Sequence, residues 1–128
     1  GLALLVACTS DAPTALKASD LVGTWTMRKY GGLSLPAVIS SGNPTTEWYA
    51  DSYTLNADSS YAESGARRVT SGTVVALIPQ SEGGTWQLTD STVTFSPTSR
   101  GGVPKVGTPY TGIATPTTLT IATGLYGK

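Results

Sequence analysis

The sequence predicts an all-β fold, an eight-stranded antiparallel up-and-down barrel behind a short N-terminal tail, and three observations carry it. From residue 21 onward apolar and polar residues alternate with period two, as in strands with one dry and one wet face. No stretch of that region shows the apolar stripe, repeating about every 3.6 residues, that an amphipathic helix needs. Turn residues recur between the runs, drawn from 15 Gly and 8 Pro with many Ser and Thr. A length of 128 residues suits one domain with a core, plus a tail. Closing a meander of short-turned strands removes the two edges that invite aggregation. An open sandwich is the competing arrangement of the same strands.

The first strand is expected over residues 22–30 (VGTWTMRKY), where Trp25 and Met27 share one face and Thr24, Thr26 and Arg28 the other. Gly31 and Gly32 follow, and glycines accept the positive φ of a tight primed hairpin turn. Residues 33–40 form the second strand, with Pro36 marking an edge or a bulge. After a turn at 41–44 (SGNP), the third strand spans 46–56 and the fourth 60–69. Between them Asn56 and Asp58 can bond their own backbone in a tight turn. The fifth strand, 73–88, is expected to break into a bulge or loop at 79–83. Asp90 and Ser91 link it to the sixth, 92–96 (TVTFS), where Val93 and Phe95 share a face. Residues 97–107 (PTSRGGVPKVG) read as an exposed loop, because two Pro, three Gly and two basic residues leave it nothing to bury. The seventh and eighth strands span 108–114 and 117–123, joined at Thr115-Pro116.

Lys and Arg together number 8, as do Asp and Glu, so the net charge is zero and nothing steers the chain to nucleic acid. Histidine is absent. That removes the usual general base near neutral pH, the Ser-His-Asp and Cys-His arrangements, and most catalytic zinc sites. The chain is therefore expected not to be an enzyme and to need no cofactor or metal. Paired carboxylates hydrolyse glycosides without histidine, but among Glu47, Asp51, Glu63 and Glu82 no spacing selects a pair. Asn56-x-Asp58-x-Ser60 imitates the start of a calcium loop whose central Gly and closing Glu are missing. A β-turn accounts for the same residues. No phosphate-cradling G-x-x-x-x-G-K-[ST] run is present, and Asn43-Pro44-Thr45 fails as a glycosylation acceptor because of its central Pro. No later segment approaches the roughly 20 apolar residues of a spanning helix.

Gly23-Thr24-Trp25 on the first strand resembles the G-x-W signature that opens lipocalin barrels. Residues 33–36 (LSLP), 53–58 (YTLNAD) followed by Tyr61, and 84–88 (GTWQL) leading through Asp90 into 92–95 (TVTF) are similar, in this order, to segments of bacterial lipocalin-like lipoproteins. The resemblance spans nearly all of residues 21–123. It implies a lipocalin-like barrel whose base is marked by Gly23 and Trp25, with Trp25 serving as core at the closed end. The chain departs from larger lipocalins in that no Arg on the last strand covers the Trp and no disulfide braces the barrel. Its single cysteine has no partner within the chain. Avidin-like barrels also begin with Gly-x-Trp, but the Ser, Asn, Asp and Trp placements of a biotin pocket find no match here.

Trp25, Trp86, Tyr53, Tyr61, Phe95 and Tyr110 lie in apolar phase, so several are expected to point inward. Two readings stay open: the side chains fill a small barrel, or they line a pocket at one mouth with a few hydroxyls orienting an apolar ligand. For the pocket, the candidate contacts are Tyr53, Tyr61, Glu63, Trp86, Phe95 and Tyr110. Glu63 is in phase with Tyr61, and a carboxylate inside must be paired or protonated. Arg67, in the same phase, and Arg28 are the available partners; the alternative places Glu63 on the wet side after a bulge. The functional expectation is a monomer binding a small apolar ligand in or at the mouth of the barrel. The alternative is a protein-interaction or protease-inhibitor-type barrel with a filled core, using the loop at 97–107 or the tail as its contact surface.

A barrel starting near residue 21 leaves GLALLVACTSDAPTAL without a structural task. Residues 1–7 resemble the end of a secretory h-region, and Leu5-Val6-Ala7-Cys8 resembles the bacterial lipobox. In that family the cysteine takes a thioether-linked diacylglycerol, the signal is cut before it, and the new amine is acylated, for example with palmitate. The implied organisation is a signal-peptide remnant at 1–7, a lipidated tether at 8–20 and a barrel domain at 21–128. Cys8 then ties the protein to the bacterial cell envelope, on the outer-membrane or periplasmic side in a Gram-negative host. The absence of an initiating Met and a basic n-region implies a longer precursor. The competing reading makes this stretch a strand or buried plug, with Cys8 as a small hydrophobe.

Overall fold

The computed structural model describes residues 15–128, and Cys8 with its lipobox-like run lies outside the described residues. Along β1 (Gly23–Tyr30) buried Trp25 and Met27 alternate with exposed Thr24, Thr26 and Arg28, which decides the face that turns inward. Gly31 and Gly32, at φ 58° and 80°, form the tight turn into β2 (Leu33–Ser34). Pro36 ends that strand, and β3 (Ala37–Ser40) pairs instead with β4 (Thr45–Leu55). The single second strand expected from sequence is therefore two short pieces, one beside β1 and one beside β4.

The meander continues through β5 (Ser60–Ser71), β6 (Val74–Thr89), β7 (Thr92–Arg100), the short β8 (Val103–Pro104), β9 (Tyr110–Ala114), β10 (Thr118–Ile121) and β11 (Gly124–Gly127). Antiparallel pairs join β1, β4, β5, β6, β7, β9, β10 and β11 in that order, and β11 returns to β1. The closed eight-stranded up-and-down barrel expected from the sequence is present, with a different membership: residues 33–40 stay outside it and β11 closes it. Two glycines in the four residues GLYG leave too little alternation for β11 to read as a strand, and only pairing to both β1 and β10 makes it one.

Two other expectations change. β6 is continuous where an interruption at 79–83 was expected. Trp86 N–H donates to Ser59 while Ser81 C=O accepts from Gly101, so odd-numbered β6 residues direct their backbone groups away from β5. Pairing to β7 reaches only to Glu82, so the missing N–H of Pro79 falls on an open edge and disturbs no ladder. The stretch 97–107 is not simply an exposed loop: β7 extends to Arg100 and turns at Gly101-Gly102 into β8. Pro97, in phase with Val93 and Phe95, is buried.

The closed end is plugged by α1 (Ala18–Leu21), a single turn formed by the last three residues of the stretch read as tether and the first of the barrel domain. Apolar contact holds it there, since Leu21 is fully buried and Leu16 packs on the core. Trp25 Nε1 donates to Leu21 C=O at 2.8 Å. Lys128 Nζ lies 5.2 Å from the Trp25 ring centroid and donates to Asp20 C=O at 2.8 Å. A lysine just beyond β11 thus supplies the cationic cover for Trp25 that the sequence, read with an earlier last strand, lacked.

Deleting residues 124–128 removes both the closing strand and this cover. The expected outcome is loss of cooperative thermal unfolding and of the near-UV circular dichroism of the packed aromatics; a truncated chain melting as the parent does would show that β11 is dispensable for closure.

Candidate functional site

A bulge between Trp48 and Ala50 sets the phase of lower β4, so that Asp51, Tyr53 and Leu55 all turn inward. Opposite them, Tyr61 and Glu63 of β5 point into the barrel, and Glu63 pairs in register with Glu82 of β6. Gly65 is required beside them: a Cβ there would stand 2.5 Å from Asp51 Oδ1 and 2.6 Å from Ala50 C=O. Phe95 enters from β7, Tyr110 from β9 and Tyr126 from β11.

Phe95 is the hub of the aromatic packing, with ring centroids 5.1 Å from Tyr53, 5.1 Å from Tyr61 and 5.2 Å from Tyr110. Tyr53 also meets Tyr126 edge-on at 5.3 Å. At such separations aromatic rings are in contact, so these residues pack on one another and fill the middle of the barrel. Trp86 lies nearer the closed end, its Nε1 donating to Asn56 C=O at 3.1 Å. The structure thus gathers Tyr53, Tyr61, Phe95 and Tyr110 into one cluster and sets Trp86 apart from it, bonded to the β4–β5 turn.

Above the rings lies a polar layer. Tyr61 donates to Glu82 Oε2 at 2.8 Å, and Tyr110 donates to the same oxygen. Tyr53, 2.9 Å from the Tyr110 hydroxyl, is then the donor to it. Glu82 Oε1 faces Arg100 Nη1 at 3.3 Å. Tyr126 donates to Asp51 Oδ2, and Gln80 Nε2 donates to Glu63 Oε2 at 3.2 Å. Burial pushes the phenol pKa of all four tyrosines upward, which keeps them neutral donors.

Glu63 is inside, only 5% exposed, and neither arginine proposed as its partner reaches it. Arg67 lies over Trp48 at 5.9 Å, and Arg28 reaches towards Lys128 C=O at 3.5 Å near the closed end. Its neighbour is a second carboxyl, Asp51, only 4% exposed, whose Oδ1 receives no donor from the described side chains. Desolvation first, and contact with Asp51 second, push Glu63 up to about 9. Burial also raises Asp51, against the opposing pull of Glu63 and Tyr126. Near neutral pH Glu63 therefore retains its proton, and a protonated carboxyl is the kind of donor that the orphaned Asp51 Oδ1 lacks.

Three of the four acids weighed for paired-carboxylate chemistry converge here, whereas Glu47 binds Arg68 on the outside at 2.9 Å. Asp51 and Glu63 are buried neighbours, and each influences the titration of the other. Among the described residues no cluster of His, Cys, Asp or Glu is arranged to hold a metal. Toward the rim, the inner wall continues as Tyr30 and Trp48, 6.1 Å apart, and Ile78, opposite Arg67. A cleft of about 180 Å³ opens on the β7–β8 side between Glu82, Arg100 and Lys105.

Sequence reasoning missed the structural roles of Asp51 and Tyr126. Asp51 carried a usable signal, since it lies in phase with Tyr53 and Leu55. Tyr126 carried none, because its strand was not legible. Comparison with protein-family models, with curated proteins and with solved structures finds no match.

The carboxyl pair implies a pH dependence of known sign. Above the ordinary value of 4.5 the unfolded chain releases the proton that folded Glu63 retains up to about 9. The contribution of this site to stability is therefore full at acid pH and declines as pH rises across that interval. In Glu63→Gln the amide offers Asp51 a donor but cannot ionise. Its melting temperature should vary less over the interval and exceed the parent's at the alkaline end; thermal scans giving parallel slopes would exclude a proton shared at this site.

Proposed function

We propose that this chain is a membrane-anchored, lipocalin-like lipoprotein of the bacterial envelope, not an enzyme, which binds a small apolar ligand at the mouth of its barrel. The observation that carries the position of the site is the ring cluster around Phe95 beneath the Asp51–Glu63 pair, which leaves the middle of the barrel full. Above that level the wall of Tyr30, Trp48 and Ile78 is only partly buried or exposed. It offers aromatic and aliphatic surface beside hydrogen-bonding groups, the composition that suits an amphipathic guest. Tyr53, Tyr61, Phe95 and Tyr110 then support the floor of the site, and Trp86 stands apart from it.

The proposed anchor is Cys8. Each buried CH₂ contributes roughly 0.8 kcal/mol, so two or three acyl chains hold a protein at a membrane almost permanently. Intact-mass analysis of the chain purified from its host should show a diacylglycerol and acyl modification that Cys8→Ser lacks, and an unmodified Cys8 would refute the anchor.

For the ligand, native mass spectrometry of protein purified from its own host should show a small-molecule adduct. An apolar fluorescent probe should bind with about tenfold lower affinity to Trp48→Ala, as expected for a lost aromatic wall. Trp86→Phe should leave that affinity unchanged. A clean apo mass together with no probe binding would favour the second reading, a protein-interaction barrel, which the filled interior also suits.

A further inference from the structure

The upper ends of β3, β4, β5 and β6 project beyond the barrel as a small sheet, and its charge is distributed by level. Val38, Glu47, Arg68 and Leu77 stand in register in one row, and Ala37, Trp48, Arg67 and Ile78 in the next. Beyond these rows, residues 39–46 and 69–76 contain no Asp, Glu, Lys or Arg. On these rows and above them, the large apolar side chains of β6 are exposed on both faces. Val74 (67%) and Ile78 (47%) share the face that continues the barrel interior, and Val75 (59%) and Leu77 (53%) share the opposite one.

Each face also carries a cation over an aromatic ring at the base of the uncharged region. Arg67 lies 5.9 Å from the Trp48 ring centroid on the inner face. Arg68 lies 5.8 Å from that of Tyr49, bonded to Glu47, on the outer face. Aromatic and basic residues at one level, with an uncharged apolar tip beyond, are the arrangement adopted at a lipid headgroup layer.

We propose that this ribbon end enters the interfacial region of a lipid bilayer. A folded partner docking on one face leaves the other bare, whereas lipid covers both. Edge-to-edge pairing with a second copy is weakened because Pro79 removes one of the donors facing outward from β6. From Arg68 to the turn at Gly72, four residues at about 3.3 Å each carry the tip ~13 Å, enough for the headgroup layer and the upper acyl chains. Among the described residues β6 above Ser81 pairs only with β5, so Val75 and Leu77 present unpaired backbone groups. Hydrocarbon does not tolerate such groups, so the ribbon stops in the hydrated interface and does not span.

The test uses the full chain carrying Cys8→Ser, so that no acyl chain contributes. It is floated with vesicles of phosphatidylcholine alone and of phosphatidylcholine mixed with phosphatidylglycerol. Trp25 and Trp86 are buried, so emission changes report mainly on Trp48. The expected result is flotation with both vesicle types, a blue shift, and quenching by brominated acyl chains. Val75→Asp combined with Leu77→Asp, both at exposed positions, should weaken vesicle binding by about tenfold or more without changing the melting temperature. No flotation with either vesicle, or flotation that the double variant leaves unchanged, overturns the proposal. So does a reversible dimer that the double variant abolishes in the absence of vesicle binding, which assigns the ribbon to a second copy. The double variant spares Trp48 and the mouth wall, so failure here is separable from failure of ligand binding there.

Discussion

Strand β1 pairs with β11 along one edge and with β4 and then β2 along the other, and this division shapes the molecule. Its lower residues, Gly23 to Thr26, pair with β4, and its upper residues, Thr26 to Tyr30, pair with β11. Closing a sheet requires such a stagger, because tilted strands meet out of register by a fixed shear. β4 consequently leaves β1 at Ser52 and continues upward to Thr45 between β3 and β5. The projecting sheet is thus a direct consequence of closure: the strands that climb past the point where β1 lets go form a wall on one side of the rim.

Below that point the barrel is narrow enough for rings to fill it, and its base is fixed by Trp25 bonded to α1 and covered by Lys128. Approaching the rim, four phenols and three carboxyls occupy the interior together. Burying two adjacent ionised carboxylates is far costlier than retaining a proton on one. Asp51 and Glu63 accept that solution, while Glu82 takes two phenols and Arg100. This layer separates a packed, apolar lower barrel from an exposed upper wall and ribbon.

Much of this was legible from alternation alone. Val93 and Phe95 on one face, Trp25 and Met27 on another, and the Gly31-Gly32 turn follow from period-two patterning and from φ preferences, both local properties. The inward position of Glu63 was also in the pattern, as the phase-mate of Tyr61. Its partner was not: phase shows that Asp51 turns inward with Tyr53 and Leu55, but which residue it meets depends on the register between strands. β11 failed to register because glycines obscure alternation. Pro79 suggested a break that the open edge renders unnecessary, since a proline disrupts only the ladder its nitrogen faces.

By itself the sequence determined the fold class, the inward-facing aromatics and the absence of histidine chemistry, because these depend on residue identity and spacing of two. It also sets the uncharged runs at 39–46 and 69–76. Only the tertiary structure decided which strand closes the barrel, which carboxyl meets Glu63, and that the two uncharged runs lie side by side above a common row of arginine and aromatic residues. The reason is that such neighbours are set by strand register and shear, which arise from the closed sheet as a whole and leave no mark in any one segment of the chain.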